Sequence, residues 1–186
     1  MPRFIEVIIA IILFIILLPF MFLIGFAVVL TSKGSAIHWS KRVGQNNQLF
    51  LMPKFRSMSL EAPQLATHLL KNEKSYITPV GSFIRKTSLD ELPQIWSIIN
   101  GDMSFVGPRP ALFNQDDLIS LRTNHNIHLL KPGITGWAQI NGRDEISIEE
   151  KVEWEKEYQS RRTIVFDFYI ILKTFQAVLT KKNVSH

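Results

Sequence analysis

Asp90 and Glu91 stand side by side in Ser88-Leu89-Asp90-Glu91, a pattern of the capping-box type with Ser88 as N-cap and Glu91 at the third helical position. Leu92, Ile95, Trp96 and Ile99 follow at helical spacing, Pro93 fits the first turn, and Asn100-Gly101 is a suitable stop. Two carboxylates in a first turn sit where the helix macrodipole favours their ionised form by about 0.3–1 kcal/mol. An ionised carboxylate can attack phosphorus or ligate a hard divalent cation. It can equally do nothing but cap the helix, and the pattern alone leaves both readings open.

Cations surround this pair in the sequence at stiff points. Lys54 and Arg56 lie two apart at the end of a predicted strand, Gln48–Phe55, so they are expected on one face. Arg85 precedes the predicted helix. Arg109 is held between Pro108 and Pro110, and Arg143 follows Asn141-Gly142. Each alone reads as a surface charge, but together they offer the several donors that a pyrophosphate needs. His125 and His128 read as residues of a solvated loop.

These residues need a scaffold. The chain has 186 residues, 46% hydrophobic and 20% charged, with no cysteine, which removes disulfides, thiolate nucleophiles and Cys-based zinc sites. Its net charge of +5 and pI of about 9.6 suit phosphate-bearing substrates or an anionic membrane surface. Lys and Arg form no dense arm or recognisable motif, so nucleic acid is not an expected partner.

Residues 7–30 carry no charge. As a helix they reach about 36 Å, enough to cross a bilayer core of roughly 30 Å. Pro19 interrupts the run, and basic residues flank both ends, Arg3 before it and Lys33, Lys41 and Arg42 after it. Two topologies follow: an ordinary crossing that tolerates a proline, or a helix bent at Pro19 that returns to the face it entered.

Further along, Gly44-Gln45-Asn46-Asn47 predicts a turn. Helices are expected within 60–75, over 111–122, over Ser147–Ser160 with Ser147 and Glu150 as a second capping box, and over Asp167–Leu179. Loops are expected at Gly107–Pro110 and from Lys131-Pro132-Gly133 to Asn141-Gly142-Arg143. The last helix, rich in Phe, Ile and Leu, suits either a membrane interface or the core. No internal repeat is visible.

Four ordered blocks resemble one family: Lys54-Phe55-Arg56-Ser57-Met58, Ser88-Leu89-Asp90-Glu91-Leu92-Pro93-Gln94, Asn100 to Pro110, and Pro132 to Arg143. They are similar to the signatures of the monotopic phosphoglycosyl transferases, the bacterial sugar transferases that start glycoconjugate assembly. The resemblance covers nearly the whole chain. It implies that Asp90 is the nucleophile, that Glu91, with Asp90, binds Mg²⁺, and that Lys54, Arg56, Arg85, Arg109 and Arg143 are donors to phosphate or nucleotide. Asp167 matches an acidic position near the active site, and Pro19 the proline that breaks a re-entrant membrane helix.

The implied fold is α/β, mostly helical with a small sheet, with an N-terminal re-entrant membrane helix over residues 1–32, a catalytic domain over 33–186, and interfacial amphipathic helices. The implied partners are a UDP-sugar donor, polyprenol (undecaprenyl) phosphate, membrane lipid and downstream glycosyltransferases, at the cytoplasmic face of a bacterial inner membrane. Two other classes stay in view: a catalytically silent membrane scaffold of the same fold, against which intact Asp90, Glu91 and Arg109 speak, and a membrane-tethered binder of anionic lipid or nucleic acid acting through charge alone. The chain departs from the family pattern at Asn46-Asn47, in a turn that often carries glycine; at Met52-Pro53, which is less strand-like; and at Lys131, where arginine is usual.

Overall fold

The computed structural model describes residues 2–62, 75–142 and 146–179. The chain opens with one long helix, α1, Arg3–Thr31. Its polar and small residues are not scattered. Glu6, Ala10, Gly25 and Val28 are buried, and Leu13, Phe14, Leu17, Met21 and Ile24 pack between them against the rest of the protein. These positions recur every three or four residues and draw one stripe along the full length of the helix. The opposite face, from Phe4 and Ile8 through Ile15, Ile16 and Phe22 to Leu30, is exposed and wholly apolar. The helix runs on through Pro19, whose ring leaves the carbonyl of Ile15 without its usual helical donor.

Beyond α1 come β1 (Ile37–Val43) and β2 (Leu49–Phe55), an antiparallel hairpin in which Ile37 faces Phe55 and Val43 faces Leu49. The connecting turn places Asn46 and Asn47 at φ 56° and 59°, the left-handed geometry that asparagine tolerates, so the hairpin closes without glycine there. Met52 and Pro53 do not interrupt β2. Both are buried, and β2 is an edge strand, where a proline's missing donor is accommodated.

Helix α2 (Pro79–Lys86) is capped by Thr78, whose Oγ1 accepts from the Gly81 amide at 2.9 Å. A 3₁₀ turn, Leu89–Gln94, leads into α3, Ile95–Asn100. Short strands follow, β3 (Ser104–Val106) and β4 (Ala111–Leu112), then α4, Asp116–Asn124. Next are β5 (Gly133–Thr135), α5 (Trp137–Asn141), α6 (Ile148–Arg161) and α7 (Ile164–Leu179). β4 joins the hairpin in the order β2-β1-β4, while β3 and β5 pair in parallel. The architecture is thus mostly helical with small sheets, as expected.

Several local expectations are corrected. Ser88 does not cap a helix: it adopts φ 56° and its side chain caps nothing, so the turn after it winds as 3₁₀ before α3 begins. Helix 111–122 is two elements, because Ala111-Leu112 pair with Val43 and Arg42 and the helix starts only at Asp116. The loop expected from Lys131 holds β5 and α5. The final helix starts at Ile164, where the Thr163 hydroxyl accepts from the Phe166 amide at 3.1 Å. Ser147 does cap α6, accepting from the Glu150 amide at 3.1 Å. Most of the helix expected within 60–75 lies outside the described residues.

Two apolar clusters hold α1 to the remainder. Ala10 packs with Met52, Ile95, Ile98 and Met103, and Val28 packs with Phe55 and Ile84. A third cluster, Val106, Tyr158, Phe166 and Ile170, seats α6 and α7 against β3.

Candidate active site

The left-handed Ser88 turns the chain so that Asp90 and Glu91 leave the 3₁₀ turn beside the edge of β2. Such geometry is unfavourable by roughly 1–2 kcal/mol for a residue with a Cβ, and strained residues of this kind concentrate at functional sites. Glu91 Oε1 accepts from Arg109 Nη2 at 2.7 Å and lies 3.7 Å from Lys54 Nζ. Asp90 is partly buried and, among the described residues, makes no hydrogen bond or ion pair. One carboxylate of the pair thus absorbs the nearest cations and the other is left without a partner.

The electrostatics follow from that crowding. Burial, reinforced by the Glu91 charge, pushes the Asp90 carboxyl up to about 6, against the pull of Lys54, Arg85 and Arg109. Burial also pulls the Lys54 ammonium down to about 8, with Arg109 and Arg42 in the same sense and Glu91 opposing. The four cations outnumber the two carboxylates, so the site is set to receive an anion.

Arg109 owes its position to two glycine-bearing segments packed backbone to backbone. The Gly107 amide donates to Thr135 O at 2.9 Å and the Gly133 amide to Pro108 O at 3.0 Å. A Cβ on Gly133 would come within 2.1 Å of the Gly107 nitrogen, so no larger residue fits there. Pro108 and Pro110 are buried on either side of Arg109. Arg42, noted in the sequence only as a membrane flank, donates from Nη1 to Pro110 O at 3.2 Å and fixes the far side of this loop. Nothing in the local pattern around Arg42 signals that role, because its partner is 68 residues away.

The expected site residues divide. Asp90, Glu91, Lys54, Arg85 and Arg109 converge. Arg56 does not share the face of Lys54, because β2 ends at Phe55 and the alternation stops there. Its guanidinium is buried and donates to Ser32 O at 2.8 Å, Ser32 Oγ at 2.9 Å and Gly34 O at 3.2 Å. Asp167 is buried in the third cluster, where the Tyr158 hydroxyl donates to it at 2.8 Å. Burial, and after it the contact with Asp167, hold the Tyr158 hydroxyl above its usual range. Arg143 lies outside the described residues. Pro19 is exposed on α1, away from this chemistry.

Among the described residues no group of three or more His, Asp or Glu could hold a metal ion. The donor set at the site is Asp90 and Glu91. Two hard oxygen ligands suit Mg²⁺, which characteristically binds one or two carboxylates and completes its octahedron with water and substrate phosphate.

The model of the family described as bacterial sugar transferase matches residues 1–181. The chain belongs to the bacterial sugar transferase family. It is 36% identical to the undecaprenyl-phosphate galactose phosphotransferase of Salmonella typhimurium, aligning 97% of this chain with 41% of that protein. It is 37% identical to the UDP-glucose:undecaprenyl-phosphate glucose-1-phosphate transferase of Escherichia coli, over 91% of this chain and 38% of that one. The exopolysaccharide production protein ExoY of Sinorhizobium fredii is 34% identical, over 97% of this chain and 86% of its own length. The chain therefore spans about two fifths of the first two relatives and most of the third. The family assignment agrees with the resemblance carried by the four sequence blocks.

Proposed function

We propose that this chain moves a sugar 1-phosphate from a UDP-sugar to polyprenol phosphate through a covalent intermediate on Asp90, at the start of polysaccharide or glycoconjugate assembly. The observation that carries the reading is the division within the carboxylate pair: Glu91 is tied to Arg109 and Lys54, while Asp90 is partly buried and has no hydrogen bond or ion pair among the described residues. A carboxylate stripped of water and of hydrogen bonds is a stronger nucleophile than a solvated one.

In the first half-reaction an Asp90 oxygen attacks the phosphorus that bears the sugar. The bridging P–O bond breaks and UMP leaves with the electron pair. Arg109, Lys54 and Arg85 neutralise phosphate charge as it shifts. In the second half, a phosphate oxygen of the polyprenol attacks the same phosphorus, the Asp90–phosphorus bond breaks, and the free carboxylate returns. Mg²⁺, held by Glu91 and Asp90 together with phosphate oxygens, would supply charge neutralisation when bound. The relatives named for undecaprenyl phosphate, and the UDP-glucose enzyme among them, support this donor and acceptor class.

The topology proposed for α1 is re-entrant, with both ends at the cytoplasmic face of the inner membrane. What supports it is the buried stripe. Residues near both ends, Glu6 and Val28, pack into one catalytic unit, and a helix passing straight out through the bilayer would carry one end away from it. The exposed stripe Ile164, Val165, Phe168, Leu172 and Phe175 on α7 supports an interfacial position for that helix.

The test omits the lipid acceptor. Purified protein given the correct UDP-sugar and Mg²⁺ should release up to about one UMP per protein and gain the mass of one phosphosugar. Asp90→Asn should do neither. UMP release only when polyprenol phosphate is present, with no adduct by intact mass spectrometry, would replace the covalent route by direct transfer.

A further inference from the structure

Position 6 places a carboxylate inside an otherwise apolar helix, and Glu6 is only 5% exposed. Burying a carboxylate is costly unless it is paired and hydrogen-bonded. Both conditions are met, from two directions. Arg3, one turn earlier, donates from Nη1 to Glu6 Oε2 at 3.4 Å, and the buried Ser104 hydroxyl donates to Glu6 Oε1. Lys131 and Asp102 are the other charged groups near the pair.

The same Arg3 reaches on into the catalytic unit. Its Nη2 donates to Ile98 O and its Nη1 to Met103 O at 3.3 Å. Ile98 lies in the last turn of α3, where its carbonyl also accepts from the Gly101 amide at 3.2 Å. Arg3 adds a second, charged donor to that carbonyl and places positive charge at the negative end of the helix. The 3₁₀ turn that carries Asp90 and Glu91 runs directly into α3 at Ile95, with no linker between them. Whatever fixes the axial position and tilt of α3 therefore fixes the two carboxylates.

At the other end of α1, Arg56 does the equivalent for α1 itself. It donates to Ser32 O and Gly34 O, just past the last turn, from the end of the strand that holds Lys54. So the membrane helix is keyed at its first turns to the element bearing the nucleophile, and at its last to the element bearing a phosphate-facing cation.

We propose that Glu6 and Arg3 are positioning residues that lock α3 through Ser104, Ile98 O and Met103 O, making the seating of the membrane helix a condition for aligning Asp90. The inference deepens the reading of Asp90 as nucleophile and rests on it for its kinetic consequence, though not for its structural one. A displacement of about 1 Å at a reacting group can cost a hundredfold in rate. Loss of the lock should therefore fall on the chemical step rather than on donor binding, which Arg109, Lys54 and Arg85 provide.

The test uses the full chain in nanodiscs. Glu6→Leu removes both acceptors, so Arg3 loses its counter-charge and Ser104 its acceptor. Glu6→Gln keeps the shape and an acceptor for Ser104 but loses the charge for Arg3, and Ser104→Ala is milder still. Two measurements are made on each. Hydrogen exchange should show faster exchange of the amides of residues 89–100 in Glu6→Leu, with those of α6 unchanged. The acceptor-free UMP burst should slow at least tenfold in Glu6→Leu and less in Glu6→Gln and Ser104→Ala, with the donor concentration for half-maximal rate within twofold of wild type. If Glu6→Leu fails to fold, the two milder variants carry both measurements in the same directions. Unchanged exchange at 89–100, or a weakened donor affinity with an unchanged burst rate, would overturn the proposal. If wild type gives no burst at all, the nucleophile assignment fails, and the exchange measurement still decides whether Glu6 locks α3.

Discussion

Replacing Asp90 by Asn should stabilise the protein, and only where Asp90 would be ionised. The carboxyl is pushed from 3.8 to about 6, chiefly by burial and next by Glu91. A shift of about 2 units is worth roughly 3 kcal/mol, taking 1.36 kcal/mol per unit. The sign is fixed by proton counting. Between pH 3.8 and 6 the folded state holds more of the Asp90 proton than the unfolded chain does, so stability falls as pH rises through that window. Above about pH 6 the full cost is present; below about pH 4 nearly none of it is. Asn carries no charge to desolvate, so the variant escapes the cost.

For a domain of this size 1 kcal/mol moves Tm by about 2–4 °C, which places the Asn variant roughly 6–12 °C above wild type at pH 8. At pH 4 the two should nearly coincide. Thermal unfolding followed by tryptophan fluorescence in detergent, at both pH values with EDTA present, measures the difference directly. Mg²⁺ added at pH 8 should narrow the gap, because a cation held by Asp90 and Glu91 offsets the charge that wild type buries. An Asn variant no more stable than wild type at pH 8, or equally stabilised at both pH values, would refute the claim that Asp90 is held ionised at a cost. The catalytic reading depends on that claim, since it is the same desolvation that would activate the nucleophile.

Three further outcomes are expected. Ser88→Gly should leave stability and UMP release near wild type, whereas Ser88→Val should cost about 1–2 kcal/mol in chemical denaturation and most of the activity, because position 88 requires φ near +56°. Glu155→Gln should cost on the order of 3–5 kcal/mol, since it strands the buried Arg122 guanidinium that joins α4 to α6, yet leave donor affinity unchanged in the molecules that remain folded. Single cysteines at Pro2 and Ser35, clean probes in a chain without native cysteine, should both resist an impermeant thiol reagent applied outside intact cells, and labelling at position 2 alone would show a full crossing.

What the sequence discloses here depends on how local the cause is. The Gly44–Asn47 turn and the Ser147 cap could be read because each is settled within four residues, by asparagine at positive φ and by a hydroxyl three places before an amide. The Asp90–Glu91 pair could be singled out as a candidate because the family blocks around it are ordered and distinctive. The capping box at Ser88 misled because the same four residues suit an α or a 3₁₀ start, and the choice is made by tertiary packing against β2. Strands β4 and β5 are two and three residues long, too short for any alternation to register. Arg42 and Arg56 act across 68 and 24 residues, so their partners exist only after folding.

The same distinction governs how α1 should be understood. Its composition marks it as a membrane segment, and in a sequence it looks separable from residues 33–186. Its packing says otherwise. Ala10 lies in one cluster with Met52, Ile95, Ile98 and Met103, and Val28 in another with Phe55 and Ile84, so both clusters lose a wall without the helix. Apart from Met103, those residues come from β2, α2 and α3, the first two carrying Lys54 and Arg85 and the third continuing directly from the turn that carries Asp90. In an aqueous enzyme that wall would be a further helix of the globular domain. Here the helix that completes the core leaves its other face exposed and apolar, and under the proposed function that face would meet lipid and hold the scaffold of the site near the head group of the acceptor. In the proposed reaction a soluble donor and a membrane-bound acceptor would meet at the Asp90 carboxylate. A core shared between the membrane helix and the catalytic unit is a direct way to hold that carboxylate at the boundary between their two phases.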